Sequence, residues 1–365
     1  MGSIAAWRWI AVGCLGMVSG CTITDSSGPP ITDYQSVIDW YAADTSIPGV
    51  VALVAQGDSI WAGASGDADL YGGFMDPNDK MRMASLTKPF TATVILQMTE
   101  EGVLGLDESI VPFFDRDVVD SLVIIDGQSY GYRVTTRMLL SHRSGIYDYA
   151  DANFYNLIRA DPSRRWLPLE LVQYAYRNGQ PYFVPDAIPE NDYGYSNTNY
   201  ILLGMIAEQI DGKAFHQILR DRVLRPLSLS NTFLAEYEAI PPTVASGYDG
   251  DVDVSSYDYG FEWSSAGIVS TVGDVHTFLD ALMDGRLFMH ASTLETMRNP
   301  NGYGLGLAAT VTSEGILGYG HVGQSLGFVS VMMYVPSKQA FVIASMNQRT
   351  ADVTALYLDL LSLVP

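Results

Sequence analysis

Residues 315–346 read GILGYGHVGQSLGFVSVMMYVPSKQAFVIASM. Three apolar segments lie in this stretch, at 315–323, 328–335 and 340–346, and turn residues separate them, which predicts three consecutive strands. Consecutive strands joined by such short turns imply an antiparallel sheet. The chain then ends in an apolar stripe at helical spacing, which predicts a terminal helix packed on one face of that sheet. The stripe consists of Val353, Leu356, Tyr357, Leu360, Leu361 and Val364.

Residues 33–64 predict a helix and two strands that would pack with the strands and the helix at the end of the chain. From Asp33 onward apolar side chains recur on one helical face, and Thr32 or Asp33 can cap the helix. Residues 50–56 and 59–64 follow as two strands around a two-residue turn, an early hairpin. Helices at both ends of the chain would therefore cover one face of a shared sheet.

The middle of the chain is different, because helical stretches alternate there with loops rich in Gly, Pro and Asp and show no repeat period. The clearest stretches are 90–101, 169–177, 199–210 and 275–284. We therefore predict an α+β fold, an α/β sandwich whose antiparallel sheet is flanked by the terminal helices. Residues 31–84 and 300–365 would form this split sheet domain, and residues 85–299 a mainly helical domain inserted into it.

The composition is that of a globular protein, with 48% hydrophobic and 17% charged residues in a chain of 365. Its 41 acidic residues outnumber 20 basic ones and give a formal net charge of −21. Such a surface repels a phosphate backbone, which excludes nucleic acid as a partner. The charge otherwise indicates a well hydrated surface.

The first 20 residues predict a secretory signal, since one charge, Arg8, precedes an apolar run and then small residues. Residues 18–21, Val-Ser-Gly-Cys, resemble the lipobox of bacterial lipoproteins, in which the cysteine is lipidated; an ordinary cleavage site is the alternative. We therefore expect an exported, periplasm-facing lipoprotein of the cell envelope, held on the membrane only by a lipid anchor at Cys21. Residues 21–30 would form a flexible tether. Cys14 and Cys21 are the only cysteines, so no disulfide is available downstream.

Ser85-Leu86-Thr87-Lys88 is the first candidate for catalytic chemistry. It follows a predicted strand at 81–83 and precedes an apolar helix, and residues three apart share a helical face. A lysine there can approach the serine hydroxyl and, if burial destabilises its ammonium form, act as its base. Pro89 disfavours a helical Lys88, which predicts an irregular first turn. The tetrad alone is a weak signal.

Two further motifs follow. Tyr195-Ser196-Asn197 precedes an apolar helix, where a phenol could relay a proton and an amide could hold a substrate carbonyl. Tyr176-Arg177-Asn178 has the same spacing, but Gly179 follows it, which indicates the end of a helix. His321-Val322-Gly323 lies on a predicted strand and alone would be structural.

In this order the three motifs resemble those of the serine penicillin-recognising enzymes, in the branch of class C β-lactamases, D-alanyl-D-alanine carboxypeptidases and esterases. The likeness covers nearly all of residues 32–365. It includes recurrent segments at 139–146, 195–204, 265–268, 303–306 and 320–323. It implies a β-lactamase/transpeptidase-like fold and a serine hydrolase that attacks ester, amide or β-lactam carbonyls of small molecules or peptides through an acyl-enzyme.

The resemblance also implies roles for individual residues. Ser85 would be the acylated nucleophile, Lys88 its activating partner and Tyr195 the proton shuttle. Asn197 would anchor the substrate. The backbone N–H groups of Ser85 and Gln324 would form the oxyanion hole.

The third motif departs from the pattern. His321 stands where many β-lactamases have lysine, and Gly323, in the same motif, would bind the substrate. The imidazole would donate a hydrogen bond to Tyr195 or to the substrate and would be protonated only part of the time near neutral pH. This shifts the prediction from a true β-lactamase toward an esterase or D-peptidase. A second departure is Asp186, where relatives often have glycine, which indicates an unusual cleft rim.

Two alternative functions remain open, and a third is rejected. A true class C-like β-lactamase and a catalytically silent binding module of the same fold remain open. Gly323-Gln324-Ser325-Leu326-Gly327 matches the nucleophile elbow of α/β-hydrolases, but no histidine follows it, as their triad requires. We expect no metal or other cofactor, because the remaining histidines show no ligand spacing and are interpreted as structural or surface residues. They are His142, His216, His276 and His290.

Overall fold

A computed structural model describes residues 32–241 and 244–365. Its centre is a six-stranded sheet in the order β10-β11-β12-β13-β1-β2, and each neighbouring pair is antiparallel. The strands are β1 Gly49–Gln56, β2 Ser59–Gly66, β10 Ala308–Val311, β11 Leu317–Gln324, β12 Val329–Val335 and β13 Ala340–Met346. The predicted fold class is confirmed. The sequence pattern missed β10, which has only four residues.

Both faces of this sheet are covered, which explains why its central strands are apolar almost throughout. In β1, Val50, Ala52 and Val54 pack with the terminal helices α1 (Tyr34–Ala42) and α12 (Val353–Ser362). The alternate side chains, such as Leu53 and Ala55, face the larger core. Because successive side chains of a strand point to opposite faces of the sheet, β1 contributes to both cores.

The terminal helices form where predicted. Of the two candidate caps for α1, the structure selects Asp33, whose carboxylate accepts from the Ser36 N–H at 2.8 Å. The Asp352 side chain caps α12 in the same way. Such a cap contributes about 1 kcal/mol to helix stability.

The region between the two parts of the sheet is mainly helical. Its helices are α2 Thr87–Glu100, α3 Arg116–Leu122, α4 Thr136–Leu140, α5 Ala152–Ala160, α6 Pro168–Asn178, α7 Asn197–Asp211, α8 Phe215–Leu219, α9 Trp263–Ala266, α10 Val272–Met283 and α11 Ala291–Met297. A π-helical turn, Arg220–Leu224, follows α8, and 3-10 turns occupy Ala84–Leu86, Val111–Phe113 and Gly131–Arg133. Helix α6 ends at Asn178, which confirms that Tyr176-Arg177-Asn178 closes a helix.

Short strands complete this region. A three-stranded sheet has the order β3-β9-β6, and two hairpins pair β4 with β5 and β7 with β8. Their bounds are β3 Met81–Arg82, β4 Ile124–Ile125, β5 Gln128–Ser129, β6 Phe233–Leu234, β7 Tyr248–Asp249, β8 Val252–Asp253 and β9 Ile268–Ser270.

The predicted signal peptide, the tether at 21–30 and Cys21 lie outside the described residues. Within the ranges that are described, no helix is both long and apolar enough to span a bilayer.

Candidate active site

The Ser85 turn is built by a tight junction between strand and helix. Strand β3 leads into the 3-10 turn Ala84–Leu86, and α2 begins directly after it, which confirms the irregular first turn predicted from Pro89. Ala84 has φ of 48°, a strained value for a residue with a Cβ. Strand β11 approaches this turn so closely that a Cβ on Gly323 would lie 2.7 Å from the Met83 carbonyl oxygen. Glycine at 323 therefore allows the sheet to touch the Ser85 turn.

The structure brings two of the predicted groups, the Lys88 amine and the Tyr195 phenol, to the Ser85 hydroxyl. Lys88 Nζ donates a hydrogen bond to Ser85 Oγ at 3.0 Å, and the Tyr195 phenol donates to the same oxygen at 2.9 Å. The ammonium also donates to Asn197 Oδ1 at 2.7 Å and to the Ser265 carbonyl at 3.0 Å. The three donors of Lys88 thus meet three acceptors, which fixes the amine against the serine.

Burial prepares Lys88 to act as a base. Its side chain is fully buried, and this desolvation lowers its pKa to about 7, although the negative charges of Asp148 and Glu262 oppose the shift. A substantial fraction of the amine is therefore neutral near pH 7. Only this neutral form can accept the Ser85 proton.

Tyr195 is held in its protonated form. Burial raises the pKa of its phenol well above the usual value, and the hydrogen bond to Ser85 opposes this only in part. The His142 ring packs against Tyr195 with centroids 4.3 Å apart, and His142 Nδ1 accepts from the Ser196 N–H at 3.2 Å. Burial lowers the pKa of His142, so its imidazole is neutral where it packs against the phenol. His142, interpreted from sequence as structural, thus supports Tyr195.

Asp148 is a part of the site that the sequence motifs did not reveal. Its carboxylate accepts from the Asn197 N–H at 3.0 Å and from Asn197 Nδ2 at 3.0 and 3.2 Å. Burial raises the pKa of Asp148, while its hydrogen bonds and Lys88 oppose the rise. The Asn197 amide therefore bridges Asp148 and Lys88 and orients the Lys88 amine. The one available signal was its position just beyond the recurrent segment 139–146.

His321 differs from its prediction in two respects. Its Nδ1 lies 2.6 Å from the Val322 carbonyl oxygen, and its Nε2 lies 3.0 Å from the Tyr303 hydroxyl. A carbonyl can only accept, so Nδ1 carries the proton and Nε2 accepts from Tyr303. The predicted hydrogen bond to Tyr195 is not made, since Tyr303 occupies the imidazole. Burial, with the charge of Lys88, lowers the pKa of His321 to about 3, so the predicted partial charge near neutral pH is also wrong.

One cavity of about 480 Å³ joins five of the predicted site residues, whereas Lys88 and His321 do not line it. Ser85, Tyr195, Asn197, Gly323 and Gln324 all line it. Within residues 32–241 and 244–365, no three His, Cys, Asp or Glu side chains are grouped so that they could hold a metal ion.

The backbone at Gln324 is oriented by the strand register. The Ser325 N–H donates to the Phe328 carbonyl at 2.9 Å, and Gln324 is the partner of Val329. Hydrogen-bonded pairs alternate along an antiparallel ladder, so the Gln324 N–H points away from β12. Ser325 lies at the hairpin between β11 and β12, and its hydroxyl donates to Glu262, which agrees with rejecting the nucleophile-elbow interpretation.

Comparison with known proteins establishes the family. The sequence model of the family described as Beta-lactamase matches residues 35–363. The chain belongs to the Beta-lactamase family. Among curated members, penicillin-binding protein 4 of Amycolatopsis lactamdurans is 26% identical, over 90% of this chain and 87% of that protein. A D-aminopeptidase of Brucella anthropi is also 26% identical, over 82% of this chain but only 56% of its own length.

Solved structures of family relatives superpose on most of the chain. A D-stereospecific amidohydrolase from Streptomyces has a TM-score of 0.77 and 29% identity, covering 88% of this chain and 96% of that one. The D-amino acid amidase from Ochrobactrum anthropi SV3 has a TM-score of 0.76 and 26% identity, covering 90% and 96%. The predicted family and the prediction of a serine hydrolase are confirmed. The chain is a serine hydrolase of the Beta-lactamase family.

Asp186, where the resemblance leads one to expect glycine, has a backbone conformation that suits glycine. Asp186 has φ of 61°, the left-handed region that glycine adopts most easily. Its carboxylate accepts from Arg143 Nε at 2.7 Å. The same guanidinium donates to four carbonyls of residues 188–192. Arg143 therefore holds residues 186–192 in place, through this ion pair and through four hydrogen bonds to backbone carbonyls.

Proposed function

We propose that this protein hydrolyses amides and peptides of D-amino acids that carry a free α-amino group, through an acyl-enzyme on Ser85. The observation that carries the proposal is the Ser85 hydroxyl, which accepts hydrogen bonds from both Lys88 and Tyr195 and lines the cavity. Two groups able to move protons thus contact one nucleophilic oxygen, as nucleophilic catalysis requires.

The geometry supports a complete reaction sequence. Neutral Lys88 takes the Ser85 proton, and Oγ attacks the substrate carbonyl carbon to form a tetrahedral oxyanion. The N–H groups of Ser85 and Gln324 are proposed to hold that oxygen. Tyr195 gives its proton to the leaving amine, the C–N bond breaks, and the Lys88 ammonium returns a proton to the phenol. Water then attacks the acyl-enzyme by the same steps and releases the acid and Ser85.

The charges around the cavity favour an ammonium group over a carboxylate. The acids Asp148 and Glu262 line it, whereas Arg349 is the one Lys or Arg among the described lining residues. Arg349 pairs with Asp249 at 3.3 Å. A D-alanyl-D-alanine peptide or a penicillin carries a carboxylate, which this lining disfavours. The similarity to a D-aminopeptidase and to D-amino acid amidases points to the same substrate class.

A substrate comparison tests this proposal. The purified protein is assayed on D-phenylalanine amide, L-phenylalanine amide, an acetylated D-alanyl-D-alanine peptide, p-nitrophenyl butyrate and a chromogenic cephalosporin. We expect kcat/KM for the D-amide to exceed that for its L-isomer and for both carboxylate substrates by at least about 10-fold. The proposal fails if the peptide or the cephalosporin is turned over fastest, or if the two amide isomers react equally.

We also propose that the protein is exported and anchored through a lipid on Cys21, supported by the sequence pattern of residues 1–21. Cells expressing the full chain are grown with radioactive palmitate, and the Cys21→Ser variant serves as control. We expect label in the wild-type protein and none in the variant, because the serine lacks the thiol that is acylated. Equal labelling of both proteins, or label in neither, would show that Cys21 is not an anchor.

A further inference from the structure

Glu262 is a buried acid in the cavity that the reaction sequence above does not use. It lies directly before α9, is 3% exposed and lines the same cavity as Ser85. One carboxyl oxygen, Oε1, accepts a hydrogen bond from the Ser325 hydroxyl. The other, Oε2, is buried and has no hydrogen-bond donor among residues 32–241 and 244–365.

The surrounding cations make no hydrogen bond to Glu262, although Arg82 Nη1 is likewise buried without an acceptor among the described residues. Arg82 pairs with Glu236 at 3.4 Å and lies over the Tyr259 ring, and Lys88 donates to Ser85, Asn197 and Ser265. Burial raises the pKa of Glu262 to about 7, and the nearby Arg82 and Lys88 offset this only in part. The fold therefore buries an acid without supplying a direct partner for one of its oxygens, which is costly.

A structural role explains only half of this side chain. Holding the Ser325 hydroxyl at the hairpin requires one acceptor, which a glutamine amide would provide without a buried ionisable group. The hairpin therefore leaves the charge and the second oxygen of Glu262 unexplained.

We propose that the Glu262 carboxylate binds the α-ammonium group of the substrate. The inference rests on the proposed function and specifies it, since it assigns the residue that selects a substrate with a free amino group. An ammonium beside the carboxyl offsets its buried charge and favours the ionised carboxylate. No covalent step is involved. Glu262 is thus a binding residue for one charged group, placed beside the nucleophile.

The test compares Glu262→Gln with the wild-type full chain on two substrates that differ only in the α-ammonium group. D-Phenylalanine amide carries the α-amino group, and 3-phenylpropanamide lacks it. We expect kcat/KM of the variant to fall about 10- to 100-fold on the first, mainly through KM, and by less than about 3-fold on the second. An equal loss on both substrates, or no loss on either, overturns the proposal.

A second measurement separates this inference from the proposed function because it needs no turnover. A fluorophosphonate labels Ser85, and D-phenylalanine amide or 3-phenylpropanamide is added to slow the labelling. We expect the amine to protect the wild type at least about 10-fold better than the uncharged amide, and Glu262→Gln to lose this difference. If the wild type hydrolyses no D-amide but shows this difference, the proposed function fails while the subsite stands. If it hydrolyses the D-amide without the difference, only the subsite fails.

Asp151→Asn is the matched control, because Asp151 is another acid of the cavity lining. Its carboxylate already accepts from the Phe154 N–H at 2.7 Å and from Tyr147 at 2.9 Å. We expect its removal to leave the ratio between the two substrates within about 3-fold of the wild type. A change of ratio as large as that of Glu262→Gln would indicate a general effect of cavity charge and would overturn the assignment to Glu262.

Discussion

Replacing Ser85 by alanine is expected to lower kcat by at least about 1,000-fold on every substrate, because removal of a nucleophile leaves only binding and electrostatic stabilisation. The alanine methyl fits where the Ser85 side chain lies, and only the two hydrogen bonds from Lys88 and Tyr195 are lost. Thermal unfolding should therefore change little. Initial rates on p-nitrophenyl butyrate and D-phenylalanine amide measure the effect.

Ser325→Ala is the informative control for this prediction. Ser325 is the serine of the Gly-x-Ser-x-Gly sequence at 323–327, yet its hydroxyl donates to Glu262 in a hairpin. We expect this variant to keep covalent labelling by a fluorophosphonate, whereas Ser85→Ala loses it. Labelling that survives in Ser85→Ala and disappears in Ser325→Ala would show that Ser325, and not Ser85, is the nucleophile.

Replacing Lys88 by methionine is expected to lower kcat/KM by about 100- to 10,000-fold, the usual contribution of a general base. Methionine has a similar length and is apolar, so it suits a buried position. The wild-type enzyme should also lose activity as pH falls through about 7, because protonation then removes the neutral amine. This acidic limb should be absent from the residual activity of the variant. Rates between pH 5 and 9 on p-nitrophenyl butyrate, which is uncharged throughout, measure both effects.

Asp148→Asn tests the electrostatic part of the same prediction. The negative charge of Asp148 raises the pKa of Lys88 and so opposes the effect of burial. Its removal lowers the pKa of Lys88, and the acidic limb of kcat/KM should move to lower pH. A limb that stays in place or moves to higher pH would contradict the assignment of this limb to Lys88. Circular dichroism of both variants checks that they fold.

The sheet could be predicted from sequence because its strands are consecutive, apolar and separated by turn residues. Strand β10 escaped because four residues, of which only one is buried, give too short a pattern. Ser85 and Lys88 could be found because one helical turn fixes their separation. Tyr195 needed the resemblance to a family, since it is 110 residues away and only tertiary structure brings it to Ser85.

The supporting residues could not be found because their function depends on burial. The prediction for His321 used the ordinary pKa of an imidazole, but the side chain is 4% exposed and its two nitrogens are occupied by Val322 and Tyr303. Asp148 and Glu262 have no motif of their own. Their importance arises from the apolar surroundings that make each charge costly.

Locating the covalent adduct tests the acyl-enzyme on Ser85 most directly. The wild-type protein is treated with a fluorophosphonate, digested with trypsin and sequenced by tandem mass spectrometry. We predict a single adduct in peptide 83–116, on Ser85 and not on Ser109. An adduct in peptide 299–338, which contains Ser325, or an unmodified Ser85 in active enzyme would contradict the proposed acyl-enzyme.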